Sequence, residues 1–110
     1  MPKLKLLRDT YKPKESEIRK EIQRYLDAKG IYNWRQWQGQ FSVRGCPDII
    51  GILPAGGRIL GIEVKRPGNE PTIAQLAFME SIRKSGGVAF VATSIEDVES
   101  QLEIVRRNSP

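Results

Sequence analysis

Two short segments of the sequence combine side chains that could do chemistry. Cys46-Pro47-Asp48 is followed, after fourteen residues, by Glu63-Val64-Lys65. The segment between them reads as a β-hairpin with a turn at residues 54–57. Antiparallel pairing about that turn places Asp48 directly opposite Glu63, with Lys65 two residues further along the same face. This register is an inference, because a slip of one residue would move Asp48 to the other face.

A pair of opposed carboxylates needs compensation. The two groups repel each other, and each loses hydration in a strand that is otherwise apolar. A divalent cation such as Mg²⁺ would compensate for both effects, because it prefers oxygen ligands and keeps positions for water and a phosphate oxygen. The alternative is a structural ion pair with Lys65, which would need only one carboxylate. We therefore predict a metal site at Asp48 and Glu63.

The composition excludes several other chemistries. The 110 residues include no histidine and a single cysteine, Cys46. Histidine-based triads, imidazole bases, an internal disulfide and zinc sites built on paired cysteines are therefore ruled out. Catalysis would depend on carboxylates and lysine. The sequence has no apolar run near the ~20 residues of a membrane span and no visible signal peptide, so we expect an intracellular protein without membrane contact.

The positive charge is unevenly distributed along the chain. The net charge of +5 comes from 11 basic and 5 acidic residues at positions 1–44 and from 7 basic and 8 acidic residues at positions 45–110. Clustered basic side chains gain affinity for nucleic acid by releasing counterions from its phosphates. We therefore predict a nucleic acid partner and interpret residues 1–14 as a basic arm. The alternative is a bias that serves only solubility.

Hydrophobic periodicity predicts a single α/β domain over residues 15–107, with elements in the order α-β-β-β-α-β-α. The hairpin arms, Asp48–Leu53 and Arg58–Lys65, are apolar on both faces and should be central strands. A first helix is predicted over Glu15–Lys29, and a second from the cap Thr72 to about Ser85. A last helix follows Ser94. Since aromatic residues in strands are usually core residues, we expect at least one of the two tryptophans to be buried.

The motif also resembles a known family. Gly45-Cys46-Pro47-Asp48, Glu63-Val64-Lys65 and Gln75 on the following helix resemble the PD-(D/E)XK nuclease superfamily, and within it the VRR-Nuc branch of small virus-type nucleases. The resemblance extends from Glu15 to Leu102. It implies a restriction-endonuclease-like core, with helices flanking a central mixed sheet, and a phosphodiesterase that depends on Mg²⁺ or Mn²⁺.

The resemblance further implies a role for each motif residue. Asp48, Glu63 and the carbonyl of Val64 would hold the metal. Lys65 would orient or deprotonate the attacking water, and Gln75 would orient that water or Lys65.

The family also carries an acidic residue on its first helix. Glu15, Glu17 and Glu21 compete for this position. At ~100° per residue, Glu15 lies nearest to the apolar face of the helix, so we assign it to the site. The alternative for all three is an ordinary solvated helix start.

Basic residues outside the motif are candidate DNA contacts. Arg35 and Arg44 are interleaved with aromatic residues that could stack on bases. Arg66 directly follows the motif, and Arg19 stands where many relatives carry Glu or Gln, so that each could meet a phosphate. The aromatic residues concerned are Tyr32, Trp34, Trp37 and Phe41.

The sequence therefore predicts a metal-dependent endonuclease that hydrolyses phosphodiester bonds in branched DNA. Stand-alone members of the branch resemble homodimeric Holliday-junction resolvases, in which two sites related by twofold symmetry can cut two strands. The apolar stripe of the last helix or the exposed aromatics would supply the dimer interface. The alternatives are a nuclease subunit acting on flaps, nicks or linear duplex, a non-catalytic nucleic-acid-binding module of this fold, and a metal-free structural protein.

Overall fold

The computed structural model describes residues 12–40 and 42–109. In this part of the chain three helices and four strands follow one another in the predicted order. Their bounds are α1 Glu15–Ala28, β1 Tyr32–Arg35, β2 Ile49–Ile52, β3 Ile59–Val64, α2 Ile73–Lys84, β4 Val88–Ala92 and α3 Ile95–Asn108. Most of the predicted basic arm, at residues 1–11, lies outside the described residues, as does Phe41. No helix within the described ranges is long and apolar enough to cross a membrane.

The four strands form one mixed sheet in the order β1-β2-β3-β4. β1, β2 and β3 are antiparallel neighbours, and β4 is parallel to β3. The predicted α/β fold with a mixed sheet is therefore confirmed. The hairpin arms β2 and β3 occupy the centre of the sheet, which explains why their sequences are apolar on both faces.

Helices cover both faces of the sheet. Ile18, Ile22 and Leu26 of α1 and Val98 of α3 form a buried cluster with alternate residues of β3, at positions 60, 62 and 64. The intervening residues of β3 face α2, since a Cβ atom built on Gly61 would lie 2.8 Å from Ile82 Cδ1. We call these surfaces the α1 face and the α2 face of the sheet. The alternation places Glu63 on the α2 face.

The hairpin register agrees with the predicted one. Ile49 pairs with Ile62, and Ile52 pairs with Ile59. Continued by one residue, this pairing places Asp48 opposite Glu63, as the sequence predicted.

The prediction of a buried tryptophan is wrong. Trp34 is 38% exposed and Trp37 is 59% exposed. Tyr32 and Trp34 of the edge strand β1 point away from α1, because the intervening Asn33 hydrogen-bonds to α1 side chains. α2 packs over β3 and β4 at the other side of the sheet, so the aromatic rings remain exposed.

The apolar stripe of α3 is not available for a dimer interface. Val98 is buried, and Ile95, Leu102 and Val105 pack against the core of the same chain. Of the two predicted dimer interfaces, the exposed aromatic residues therefore remain as the candidate.

The loop that leads to Asp48 packs tightly against the start of α2. Gly45 has a φ of +81°, and a Cβ atom there would lie 2.3 Å from the carbonyl oxygen of Ala74. Gln38 Nε2 donates to the carbonyl oxygens of Cys46 and Pro47 at 3.1 and 3.3 Å. The close approach at Gly45 and the bonds from Gln38 fix the backbone immediately before Asp48.

We expect Gly45→Ala to destabilise the protein more than Gly56→Ala. Gly56 also has a positive φ, of +86°, but a Cβ atom there would meet nothing within 4 Å. Both variants incur backbone strain of ~1 kcal/mol, whereas Gly45→Ala adds a backbone clash that we expect to cost about 2 kcal/mol more. Urea unfolding of the two variants measures the difference. Equal losses of stability would mean that the loop moves freely away from α2.

Candidate active site

The ends of two central strands position the motif residues. Asp48 directly precedes β2, Glu63 is the penultimate residue of β3, and Lys65 directly follows β3. Asp48 Oδ2 accepts a hydrogen bond of 2.9 Å from the backbone N–H of Val64, and its carbonyl oxygen accepts one of 2.7 Å from Gln36. The Asp48 side chain thus takes the place of a ladder hydrogen bond, which holds its carboxylate beside β3.

Glu63 is buried and only partly satisfied. Its side chain is 2% exposed, and Oε1 accepts a hydrogen bond of 3.0 Å from Gln75 Nε2. Oε2 is buried and has no hydrogen-bond partner among the described residues. A buried oxygen of this kind costs free energy unless a further group binds it.

The surroundings of Glu63 change its ionisation. Burial is the largest cause that raises the pKa of Glu63, and the neighbouring Asp48 carboxylate raises it further, to about 8. The ammonium of Lys65 acts in the opposite direction, and Glu15 adds to the increase. The carboxylates of Asp48, Glu63 and Glu15 therefore share one electrostatic environment with Lys65.

Gln75 joins the start of α2 to this carboxylate. Its backbone N–H donates to Thr72 Oγ1, and its Oε1 accepts from the Thr72 N–H, which is a capping box. The cap fixes the amide, so that Nε2 points at Glu63. The contact that Gln75 makes is thus with a carboxylate, whereas the resemblance implied that it orients water or Lys65.

The first turn of α1 forms the other wall of the site. A cavity of about 180 Å³ is lined by Glu15, Ser16, Arg19, Arg35, Asp48 and Val64. Of the three candidate glutamates, Glu15 is the one that lines this cavity. Arg19 and Arg35 lie at the same cavity, beside the carboxylate of Asp48.

Arg44 and Arg66 lie on other sides of the motif. Arg44 is exposed and lines a second cavity of about 400 Å³, together with Gly45 and Gln75. Arg66 is half-buried, and its Nε is buried without a hydrogen-bond partner among the described residues. Arg19 and Arg35 thus lie at one cavity beside the motif and Arg44 at another, while Arg66 follows Lys65 in the chain.

The residues fit a divalent cation that keeps most of its water. No group of three or more acidic, cysteine or histidine side chains in the described ranges is close enough to enclose a metal ion. Mg²⁺ does not require such a cage, because one or two carboxylates commonly hold it while waters and substrate phosphates complete the octahedron. Asp48 and the unpartnered Oε2 of Glu63 offer that donor set.

Sequence patterns do not predict two features of the site, which are the hydrogen bonds of Gln38 and the burial of the motif residue Cys46. Gln38 supports the backbone before Asp48, but an isolated glutamine in a loop predicts no contact. Cys46 is buried at the same place, and burial followed by the nearby Glu63 and Asp48 raises the pKa of its thiol. Cys46 is therefore a neutral packing group beside the carboxylates.

A mixed sheet whose central strands carry opposed carboxylates and a lysine, with arginines around them, defines a nuclease-type α/β domain. The family model of the VRR-NUC domain matches residues 6–96. The chain therefore belongs to the VRR-NUC family. A solved structure described as a VRR_NUC domain is similar, with 31% sequence identity and a TM-score of 0.67, over 81% of this chain and 94% of that one. No match was found among curated proteins.

We expect Glu63→Gln to stabilise the metal-free protein at alkaline pH. The pKa of Glu63 is raised from 4.5 to about 8, so its protonated form stabilises the fold below the unfolded-state pKa, and this contribution is lost as the pH rises through about 8. Glutamine stays neutral throughout. In EDTA, thermal melts should give equal midpoints near pH 4, below the unfolded-state pKa, and a midpoint for the variant that is higher by ~5 °C or more near pH 9.

The matched control for this prediction is Glu70→Gln, which makes the same chemical change at an exposed position. Its melting profile should follow that of the wild type. Parallel profiles for wild type and Glu63→Gln would show that Glu63 is not held protonated by its surroundings.

Proposed function

We propose that this protein is a metal-dependent DNA endonuclease that hydrolyses phosphodiester bonds, with branched DNA as its substrate. One observation carries the proposal: Glu63 is buried beside Asp48, and as a carboxylate it has one oxygen that accepts no hydrogen bond from the described part of the chain. Two adjacent carboxylates destabilise a strand end. A bound cation would use both carboxylates as oxygen ligands, whereas an ion pair with Lys65 would need only one of them.

Asp48, Glu63 and the carbonyl of Val64 would hold Mg²⁺ or Mn²⁺. The bound cation would lower the pKa of its water and stabilise negative charge on the phosphate that is cleaved. Gln75 holds the Glu63 carboxylate in place, because its own amide is fixed by the capping box. Glu15, from the other wall, would accept hydrogen bonds from water at the site.

Lys65 is positioned to act on the attacking water. Its ammonium is close enough to Glu63 to lower the pKa of that carboxyl, and it follows β3 directly. In this role it would orient the water, accept its proton or offset the charge that develops on the phosphate.

A binding module without catalysis fits the site less well. A protein that only binds DNA has no use for buried negative charge at the point where phosphates approach. The carboxylate of Asp48 lies at the same cavity as Arg19 and Arg35, so that a bound backbone would be drawn towards it. This arrangement favours phosphodiester hydrolysis.

Action on branched DNA would require two sites, and the structure offers a surface that could join two copies. Tyr32 and Trp34 lie on the edge strand β1 with their ring centroids 5.7 Å apart, and both side chains are exposed. An exposed edge strand with aromatic side chains favours pairing with a second strand. We propose a homodimer formed through β1.

We expect purified protein to cleave DNA only with Mg²⁺ or Mn²⁺. Labelled four-way junctions, flaps and linear duplex are incubated with the wild type, with Lys65→Ala and with Asp48→Asn. Each variant should lose at least ~100-fold in rate, because it removes a group that acts in the transition state. Symmetric paired incisions in the junction would identify a resolvase.

The control for these variants is Lys84→Ala, which removes an exposed lysine from the last turn of α2. It should cleave as the wild type does. Cleavage in EDTA, or undiminished cleavage by Lys65→Ala and Asp48→Asn, would contradict the proposed function. Cleavage of flaps or linear duplex but not of the four-way junction would mean that the protein is a nuclease of the alternative kind and not a resolvase.

We expect the wild type to sediment as a dimer, and Trp34→Lys to sediment as a monomer. The substitution would remove the aromatic ring from the face of the joined sheet and place two like charges on its neighbouring central strands, which destabilises strand pairing. Ile104→Lys makes the same change at a residue of α3 that is 50% exposed and should remain dimeric. A monomeric wild type, with and without junction DNA, would rule out the dimer.

A further inference from the structure

A chain of side-chain hydrogen bonds joins α1 to β1 next to the candidate active site. Asn33 Nδ2 donates to Asp27 Oδ1 at 2.8 Å and to the carbonyl oxygen of Ile31 at 2.9 Å. Gln23 Nε2 donates to Asn33 Oδ1 at 3.2 Å. Arg19 Nη1 donates to Gln23 Oε1 at 2.8 Å. The chain therefore ends on the guanidinium of Arg19.

The direction of this hydrogen-bond chain is fixed at its far end. A carbonyl oxygen and an ionised carboxylate only accept hydrogen bonds, so the amide nitrogen of Asn33 must face Ile31 and Asp27. The oxygen of Asn33 then faces Gln23, and Gln23 must present its nitrogen to Asn33. Its oxygen is left for Arg19. Two fixed acceptors thus determine which atom of Gln23 meets the guanidinium.

The guanidinium held in this way lies at the cavity of about 180 Å³ that Arg35 and Asp48 also line. Burial lowers the pKa of Arg19, the like charge of Arg35 lowers it further, and Asp48 partly offsets both. Two neighbouring guanidiniums repel, and an anion between them would remove the repulsion. A phosphate has the oxygen geometry that arginine side chains bind in pairs of parallel hydrogen bonds.

Gln23 is suited to hold an arginine for this purpose. An amide oxygen accepts a hydrogen bond from the guanidinium without neutralising its charge, whereas a carboxylate would pair with it and compete with phosphate. Holding the side chain before binding also reduces the conformational entropy that a long, flexible arginine loses on contact.

We propose that Arg19 and Arg35 bind a DNA backbone phosphate next to the carboxylates, and that Gln23 is a positioning residue that holds Arg19 through Asn33 and Asp27. This inference rests on the proposed function, since it takes the DNA to be the substrate of the same site. According to this inference, the hydrogen-bonded side chains between α1 and β1 serve substrate binding.

The test is a double-mutant cycle in DNA binding. Fluorescence anisotropy with a labelled four-way junction in EDTA measures affinity for the wild type, Arg19→Met, Gln23→Met and the double variant. Methionine keeps an unbranched apolar stem at both positions and matches the length of Gln23. We expect Arg19→Met to weaken binding ~10-fold and to reduce the slope of log K against log salt by about 0.9, which corresponds to one lost phosphate contact.

Gln23→Met should weaken binding ~3-fold to 5-fold in the wild-type background and have no further effect in Arg19→Met, because it acts through that side chain. The matched control is Arg24→Met, which removes the same charge from an exposed position of α1. It should change affinity less than 2-fold. Thermal melts of all variants separate loss of binding from loss of fold.

Additive effects of Gln23→Met and Arg19→Met would overturn the positioning role, and equal effects of Arg19→Met and Arg24→Met would overturn the phosphate contact. Both results leave the proposed function intact if the wild type still cleaves DNA with Mg²⁺. A wild type that binds DNA but cleaves none would overturn the proposed function. The double-mutant cycle would still test the present inference, because it measures binding only. A wild type that does not bind DNA overturns both.

Discussion

The structure of the site depends on the burial of one carboxylate opposite another. Glu63 lies on a central strand with 2% of its surface exposed, and Asp48 directly precedes the neighbouring strand. A fold gains nothing from this contact itself, since desolvation and repulsion both oppose it. The surrounding residues limit the cost: Gln75 donates to one oxygen of Glu63, Lys65 lies close by, and the Val64 N–H donates to Asp48. The domain tolerates the remaining free-energy cost of this burial because a large apolar core lies on the other face of the sheet.

The alternation of β3 explains how two separate helices reach one site. Glu63 faces α2 and meets Gln75, whereas Val64 faces α1 and lines the same cavity as Arg19. Successive residues of one strand point to opposite faces of a sheet. A motif of three residues at a strand end can therefore contact side chains from the helices on both faces of the sheet, and the sheet separates those two sets of side chains. The site consequently depends on the packing of both helices and not on the hairpin alone.

Local signals in the sequence predicted the elements and the hairpin register. Thr72 caps the second helix as predicted, and Ser94 caps the last one; each side chain accepts a hydrogen bond from a backbone N–H three residues later, a contact that needs only neighbouring residues. The turn and the apolar arms fixed the pairing of Ile49 with Ile62. The predictions that failed, or could not be made, concern contacts between elements that are distant in the sequence. Trp34 reads as a core residue in its strand, but its exposure depends on α2 packing over β3 and β4, which no local pattern encodes. The contacts of Gln23 and Gln38 cross between elements for the same reason.

The uneven distribution of charge along the chain becomes a spatial arrangement in the fold. The first half supplies Arg19 and Arg35 at one cavity, and the second half supplies Asp48 at the same cavity and Glu63 beside Asp48. If DNA is the substrate, as proposed, the guanidiniums would attract a phosphate to the site, whereas the paired carboxylates would repel it at the position of cleavage. Because both effects would act on the same backbone, the protein without a cation would hold DNA through its arginines but would oppose its close approach to Asp48 and Glu63. Neutralisation of the carboxylates would therefore decide whether bound DNA reaches Lys65, and the metal would control approach of the substrate as well as its chemistry.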